Sequence, residues 1–365
     1  MVNKSNECIF FKIKNQIGRD DIMLRNKLDV LYNQVNNLLN KIDFERLWNG
    51  FRKLKFALYN EYECIFDGKF IEKTDEFLGN TSIKYKGEYI AIWNLIEDIS
   101  PVVLCSKIVH EMFHGYQMQN NESRFPNEIE AIYNYNYISN NIEIKLVENN
   151  LLTKLYDDFD IDLFHMFLRF RKYRLNQFNF EFLYESKIEQ IEGVANYIEL
   201  SVLKELDYSM YQNKILMINN KINDPTNMLP IRVVSYDIGA LLLLVLNKYN
   251  ISYNHQFNNK TISEELQCNV EELKPVSTVN LTPIINDYHK KSEEIINKAI
   301  KQNNVILDYE TILLGFNVYN ARYYKNYIIS RYFIMFGDEA NPTILYGDFV
   351  VKTISVGIIR KVYKI

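Results

Sequence analysis

The stretch SKIVHEMFHGYQMQ, Ser106 to Gln119, holds two of the chain's five histidines four residues apart, with Glu111 directly after the first. Just upstream, Ser100-Pro101 supplies an N-cap and a proline for the first helical position, so a helix is predicted over about 101–120. On a helical wheel centred on His110, His114 falls about 40° away. Leu104, Cys105, Ile108, Val109, Met112 and Tyr116 occupy the opposite arc, and the imidazoles therefore leave the apolar face. Two imidazoles at i and i+4 can share one tetrahedral cation, with Glu111 set to one side where it can reach a water without ligating. A pair of structural histidines is the bland alternative, but with so few histidines in the chain composition alone rarely produces this motif.

Working outward, apolar residues recur at helical spacing from Arg19 to about Phe44, and a short helical piece is predicted around Leu47 to Tyr59. Asp67-Gly68 and Lys86-Gly87 read as hairpin turns, and the strand EYIAIWNL, about 88–95, leads into the histidine helix. Helical periodicity then dominates from Asn127 to about Leu206, with breaks expected near Asn149-Asn150 and between Asn176 and Asn179. Another helix is predicted from Val233 to Tyr249. The Asn-rich segment Tyr253 to Asn280 reads as a linker, a helix follows over Pro283 to Gln302, and residues 304–365 turn to strand-like runs. The expected organisation is a main domain over 1–250, a linker and helix over 251–303, and a β-rich appendage over 304–365. The fold class is α+β and mostly helical.

Composition excludes several functions. Lys plus Arg number 42 against 46 Asp plus Glu, so no overall basic field recruits nucleic acid or an anionic membrane. The most apolar run, Ile238 to Leu246, is far too short to span a bilayer. The first twenty residues lack the apolar core of a secretory signal, and Cys8, Cys64, Cys105 and Cys268 form no C-x-x-C pair, so a cytoplasmic protein with free thiols is expected. Richness in Asn, Ile, Lys and Tyr points to an AT-rich genome such as that of a low-GC bacterium.

Two histidines need a third ligand. A metzincin would place Gly and His where this chain has Gln117 and Asn120, and a glutamate some twenty residues downstream is not well matched by Glu128 or Glu130. Further on, KIEQIEGVANYIEL puts Glu185, Glu189, Glu192, Asn196 and Glu199 on one stripe of a helix expected over about 184–206. Gly193 and Ala195 beside Glu192 suggest close approach to the histidine helix.

HExxH followed by E-G-x-A-x-Y, Glu192 to Tyr197, resembles the gluzincin branch of zinc metallopeptidases. The likeness covers roughly Tyr89 to Tyr249. It implies a zincin-like domain in which His110, His114 and Glu192 hold one Zn2+ ion, Glu111 is the general base, and strand 88–95 is the edge beside which a peptide or protein substrate lies. It also implies a second electrophile for the oxyanion, for which Tyr236 is the first choice and Tyr197 the second. The 77 residues between His114 and Glu192 are closer to a neprilysin-like arrangement, and Asn196 stands where thermolysin-like enzymes carry an acidic residue bracing the first histidine. Three readings follow: a peptidase, a zincin-fold protein that binds a peptide or protein partner without cleaving it, or a metal-dependent hydrolase of another substrate. Arg169, Arg171, Lys172 and Arg174 read as a solvated helix face before a carboxylate grip, and His165, His255 and His289 carry no signal.

Overall fold

A computed structural model describes residues 27–257 and 259–365. The expected helix start at Arg19, the leader segment and Cys8 lie outside the described residues. The chain is α+β, as expected, and its backbone divides into two compact units. One holds the described residues up to Glu122 together with Ile198–Lys214; the other holds Ser123–Tyr197 and Ile215–Ile365. The expected boundary near residue 250 does not coincide with this division, because the chain after 250 packs within the second unit.

The first unit opens with helix α1 (27–39) and the single turn α2 (Phe44–Leu47). Five strands follow: β1 (Lys55–Tyr59), β2 (Cys64–Phe66), β3 (Lys69–Ile71), β4 (Thr81–Tyr85) and β5 (Glu88–Asn94). The helix expected over 47–59 is replaced by α2 and β1. Phe56 to Tyr59 are at most 2% exposed, a run apolar on both faces that suits a central strand paired on each side better than a one-faced helix. Both hairpin turns are as expected: Asp67 and Gly68 have φ of 51° and 71°, and Lys86 and Gly87 have 50° and 87°.

The sheet order is β3-β2-β1-β5-β4, with β1 and β5 parallel. The strand expected at the edge, β5, is therefore internal. The Lys86-Gly87 turn folds β4 back onto it, pairing Tyr85 with Glu88, and the edge on that side is β4. Helix α3 (Pro101–Gln119) lies against this end of the sheet. Ser100 caps it, its Oγ accepting from Val103 N–H at 3.2 Å. A Cβ on Gly115 would stand 2.6 Å from Leu54 Cδ1 and 2.7 Å from Ser82 Oγ, so the glycine lets the helix sit directly on β4 one residue after His114. The Phe113 ring packs edge-on to Trp48 and Phe51, fixing the helix from the other side.

The second unit begins with α4 (Glu128–Asn134), α5 (Ser139–Asp157), α6 (Ile161–Gln177) and α7 (Asn179–Ile188). A π-helical turn, Glu189–Gly193, leads into α8 (Val194–Leu206); α9 (Tyr208–Asn223), α10 (Ile231–Lys248), the single turn α11 (Ile262–Glu265) and α12 (Thr282–Gln302) follow. Helix α5 runs through the break expected at Asn149-Asn150. Asn149 Nδ2 donates to the Ile222 carbonyl at 2.7 Å, outside the helix, and Asn150 Nδ2 to the Leu146 carbonyl one turn back at 2.8 Å, so neither side chain draws the backbone out of the helix. The break between α6 and α7 falls at Phe178, within the expected interval.

Seven strands close the chain: β6 (Val305–Phe316), β7 (Arg322–Tyr324), β8 (Tyr327–Ser330), β9 (Phe333–Asp338), β10 (Asn341–Tyr346), β11 (Phe349–Ser355) and β12 (Ile358–Lys364), in the order β10-β9-β6-β12-β11-β8-β7. This sheet is not an appendage. Ile129, Ile132 and Tyr133 of α4 pack on one cluster of its apolar residues, and Ile296 and Ala299 of α12 pack on another. The segment read as a linker is likewise tied in: Ser263 Oγ donates to Glu189 at 2.7 Å and Ile262 N–H to Gln190 Oε1 at 2.9 Å. Among the described residues no helix is long and apolar enough to cross a membrane, and the apolar run of α10 is buried.

The second unit also buries a six-member ion network. Arg174 reaches Glu185 at 2.6 Å and Glu148 at 3.1 Å, Lys145 reaches Glu185 at 2.6 Å, and Arg171 reaches Glu189 at 2.7 Å. Arg171 and Arg174 thus belong to neither a solvated face nor a substrate grip. Three cations balance three carboxylates, which is the condition for keeping such charges out of water. Burial alone would raise the Glu185 carboxyl, but Arg174 and Lys145 beside it hold it down to about 2.

Candidate metal centre

His110, Glu111 and His114 leave α3 on the side away from its apolar contacts, and their potential ligand atoms all lie within 4.8 Å of one another. The two Nε2 atoms face each other at 3.1 Å, with the rings inclined at 76°. Each remaining ring nitrogen has an oxygen beside it. His114 Nδ1 lies 2.8 Å from Gln117 Oε1, and Gln117 is itself 1% exposed. His110 Nδ1 lies 3.5 Å from Oε2 of Glu199 on α8, whose other oxygen is 3.8 Å from Lys107 Nζ.

Gln117 Oε1 accepts from the His114 Nδ1–H, which leaves the His114 Nε2 with a lone pair, and the His110 Nε2 faces it across 3.1 Å. Around a tetrahedral ion with Zn–N bonds of ~2.0–2.1 Å, neighbouring nitrogens stand ~3.3 Å apart, so the pair fits one edge of such a site. His110, Glu111 and His114 form a group that could hold a metal ion. Burial would raise the Glu199 carboxyl, but the His110 ring beside it and the charge of Lys107 bring it down to about 2. It is a carboxylate, as bracing an imidazole requires.

Glu199, not Asn196, is thus the acidic group beside the first histidine. It stands seven residues after Glu192 in the sequence, not the four expected from thermolysin-like enzymes. Gln117 is the second brace. Its signal in the sequence was its i+3 position after His114, which the mismatch to the metzincin pattern obscured.

Glu192 and Tyr236 lie in the second unit. Glu192 sits in the π-helical turn, with Oε1 3.5 Å from an Arg232 nitrogen. Gly193 was expected to ease approach to the histidine helix, but its close neighbour is α10: a Cβ there would lie 2.7 Å from Gly239 Cα. The wide turn and the paired glycines let the backbones of the π turn and α10 touch. Arg232, which no sequence signal singled out beyond its i−4 position to Tyr236, donates to the Tyr236 hydroxyl at 2.6 Å and pairs with Glu128 at 3.1 Å. Burial and the neighbouring Glu192 charge push the Tyr236 phenol well above its ordinary value despite Arg232, so it keeps its proton. Tyr319, from the loop after β6, lies beside the Tyr236 ring. The second-choice Tyr197 is half-buried on α8 near Tyr253.

No protein-family model, curated protein or solved structure matches the chain. The residues themselves carry the functional reading.

Proposed function

We propose that the chain is a zinc metallopeptidase of zincin type, with His110, His114 and Glu192 as the ligands. The observation that carries this is the pair of imidazoles whose Nε2 atoms face each other at 3.1 Å, with Gln117 2.8 Å behind one ring and Glu199 3.5 Å from the other. Glu192 is supported by the resemblance of its E-G-x-A-x-Y surroundings to the gluzincin motif.

A bound zinc ion would supply Lewis acidity for activating water and polarising a scissile carbonyl. The chain's own residues do the rest. Glu111, 9% exposed, takes the proton from the attacking water on one carboxylate oxygen and returns it to the leaving amine. Tyr236 remains a neutral phenol under these surroundings, and its hydroxyl is the proposed donor to the oxyanion that develops on the carbonyl. Strand β4, against which α3 lies at Gly115, is the edge of the sheet among the described residues and is where an extended peptide could add as a further strand.

The test is cleavage of a diverse peptide library. Wild type should release products whose formation stops in Glu111→Gln while bound zinc is retained. Zinc-replete wild type that cuts no peptide would overturn the peptidase reading and favour a protein that binds a partner without cleaving it.

A further inference from the structure

The second unit contains a cavity of about 360 Å3, at the small end of ligand pockets. Tyr133, Tyr135, Tyr137 and Tyr184 line it, and two guanidinium groups, Arg232 and Arg322, stand in its wall. Arg232 is answered by Glu128, yet its Nε is buried without a hydrogen-bond partner although the residue is 8% exposed. Arg322, at the start of edge strand β7, stacks on the Tyr288 ring with its central carbon 4.4 Å from the centroid. Among the described residues it makes no ion pair. Stacking occupies the face of a guanidinium and leaves its N–H groups, which lie in the plane, for an acceptor.

The two cations are unevenly paired: Arg232 has Glu128 at 3.1 Å and Glu192 at 3.5 Å, whereas Arg322 makes no ion pair among the described residues, and burial holds the nearby His289 below its ordinary value, so it adds little positive charge at neutral pH. One unpaired cation in a half-enclosed, aromatic cavity asks for one negative charge with a planar pair of acceptors. A dianionic phosphate would leave an excess charge beside Glu128.

We propose that this cavity binds the carboxylate of a peptide, with Arg322 as the paired cation and the tyrosines enclosing the adjoining apolar atoms. That the carboxylate belongs to a peptide rests on the function proposed above. The carboxylate itself is called for by the cavity alone. It comes either from an acidic side chain or from a peptide C-terminus.

The test is titration calorimetry on zinc-loaded Glu111→Gln protein, which would bind without turning the probes over. The probes are N-acetylalanine for a terminal carboxylate, N-acetylglutamate α-amide for a side-chain carboxylate, N-acetylglutamine α-amide as neutral control, and inorganic phosphate. At least one carboxylate probe should bind ~10-fold or more tightly than the neutral control, a difference that Arg322→Gln removes and Arg322→Lys partly restores. Far-ultraviolet circular dichroism of both variants controls for folding, since Arg322 is half-buried on an edge strand. Equal binding of the neutral probe, preference for phosphate, unchanged affinity in Arg322→Gln, or no binding of any probe would each overturn the proposal. Carboxylate binding in a protein whose wild type cleaves nothing would keep the cavity and discard the peptidase.

Discussion

Replacing Gly193 by alanine tests how the turn that carries Glu192 is held. The added Cβ would lie 2.7 Å from Gly239 Cα and 3.0 Å from its carbonyl carbon; a Cβ on Gly239 would lie 2.6 Å from the Glu189 oxygen and 2.9 Å from Gly193 Cα. Every one of these neighbours is backbone, so relief requires α10 and the π turn to separate. At an unobstructed helical position alanine is favoured over glycine by ~1 kcal/mol. Overpacking costs ~1–3 kcal/mol, and contacts this short against atoms that cannot rotate away belong at its upper end. The net expectation for either Gly193→Ala or Gly239→Ala is a loss of about 2 kcal/mol. Gly115→Ala is the comparison. Its Cβ would meet the Leu54 and Ser82 side-chain ends at 2.6 and 2.7 Å, which can move by rotation, so it should cost less. Urea unfolding followed by circular dichroism gives the three values from midpoints and slopes. Stabilisation by Gly193→Ala, or a larger loss in Gly115→Ala than in either of the others, would refute the reasoning.

Further expectations follow from the braces and the buried ion network. Gln117→Ala and Glu199→Gln should each weaken zinc affinity by roughly 10- to 100-fold without unfolding the protein, as measured by competition with a chelating dye. Arg174→Met leaves Glu185 and Glu148 short of a cation and should cost ~3–5 kcal/mol in urea unfolding. Glu185, held down to about 2 in the folded chain against an ordinary 4.5, contributes stability that is present above about 4.5 and lost as pH falls toward 2. Thermal unfolding of Glu185→Gln should therefore be less stable than wild type at pH 6, with the gap narrowing toward pH 2.

The parts of this molecule that were legible in the sequence are those governed by local chemistry. The Ser100-Pro101 start of α3, its buried arc from Leu104 to Tyr116, and the Asp67-Gly68 and Lys86-Gly87 turns depend on neighbours a few residues away. What escaped depends on partners distant in the chain. Phe56 to Tyr59 form a strand because β2 and β5 flank them, and β5 loses its expected edge position because β4 folds back onto it. Glu185 and Glu189 read as a polar stripe only while their partners Arg174, Lys145 and Arg171 are out of view. At the candidate site, composition and spacing pointed to His110, Glu111 and His114, whereas the oxygens that orient them belong to Gln117 and Glu199, whose roles emerge only when their atoms can be seen beside the rings.

The central claim is that His110, His114 and Glu192 hold one metal ion. Elemental analysis after dialysis against limiting zinc tests it most directly. The account predicts one zinc per chain in wild type and in Glu111→Gln, and its loss in both His110→Ala and Glu192→Ala that retain the wild-type circular dichroism. Folded wild type that takes up no zinc, or Glu192→Ala that holds zinc as tightly as wild type, would contradict it.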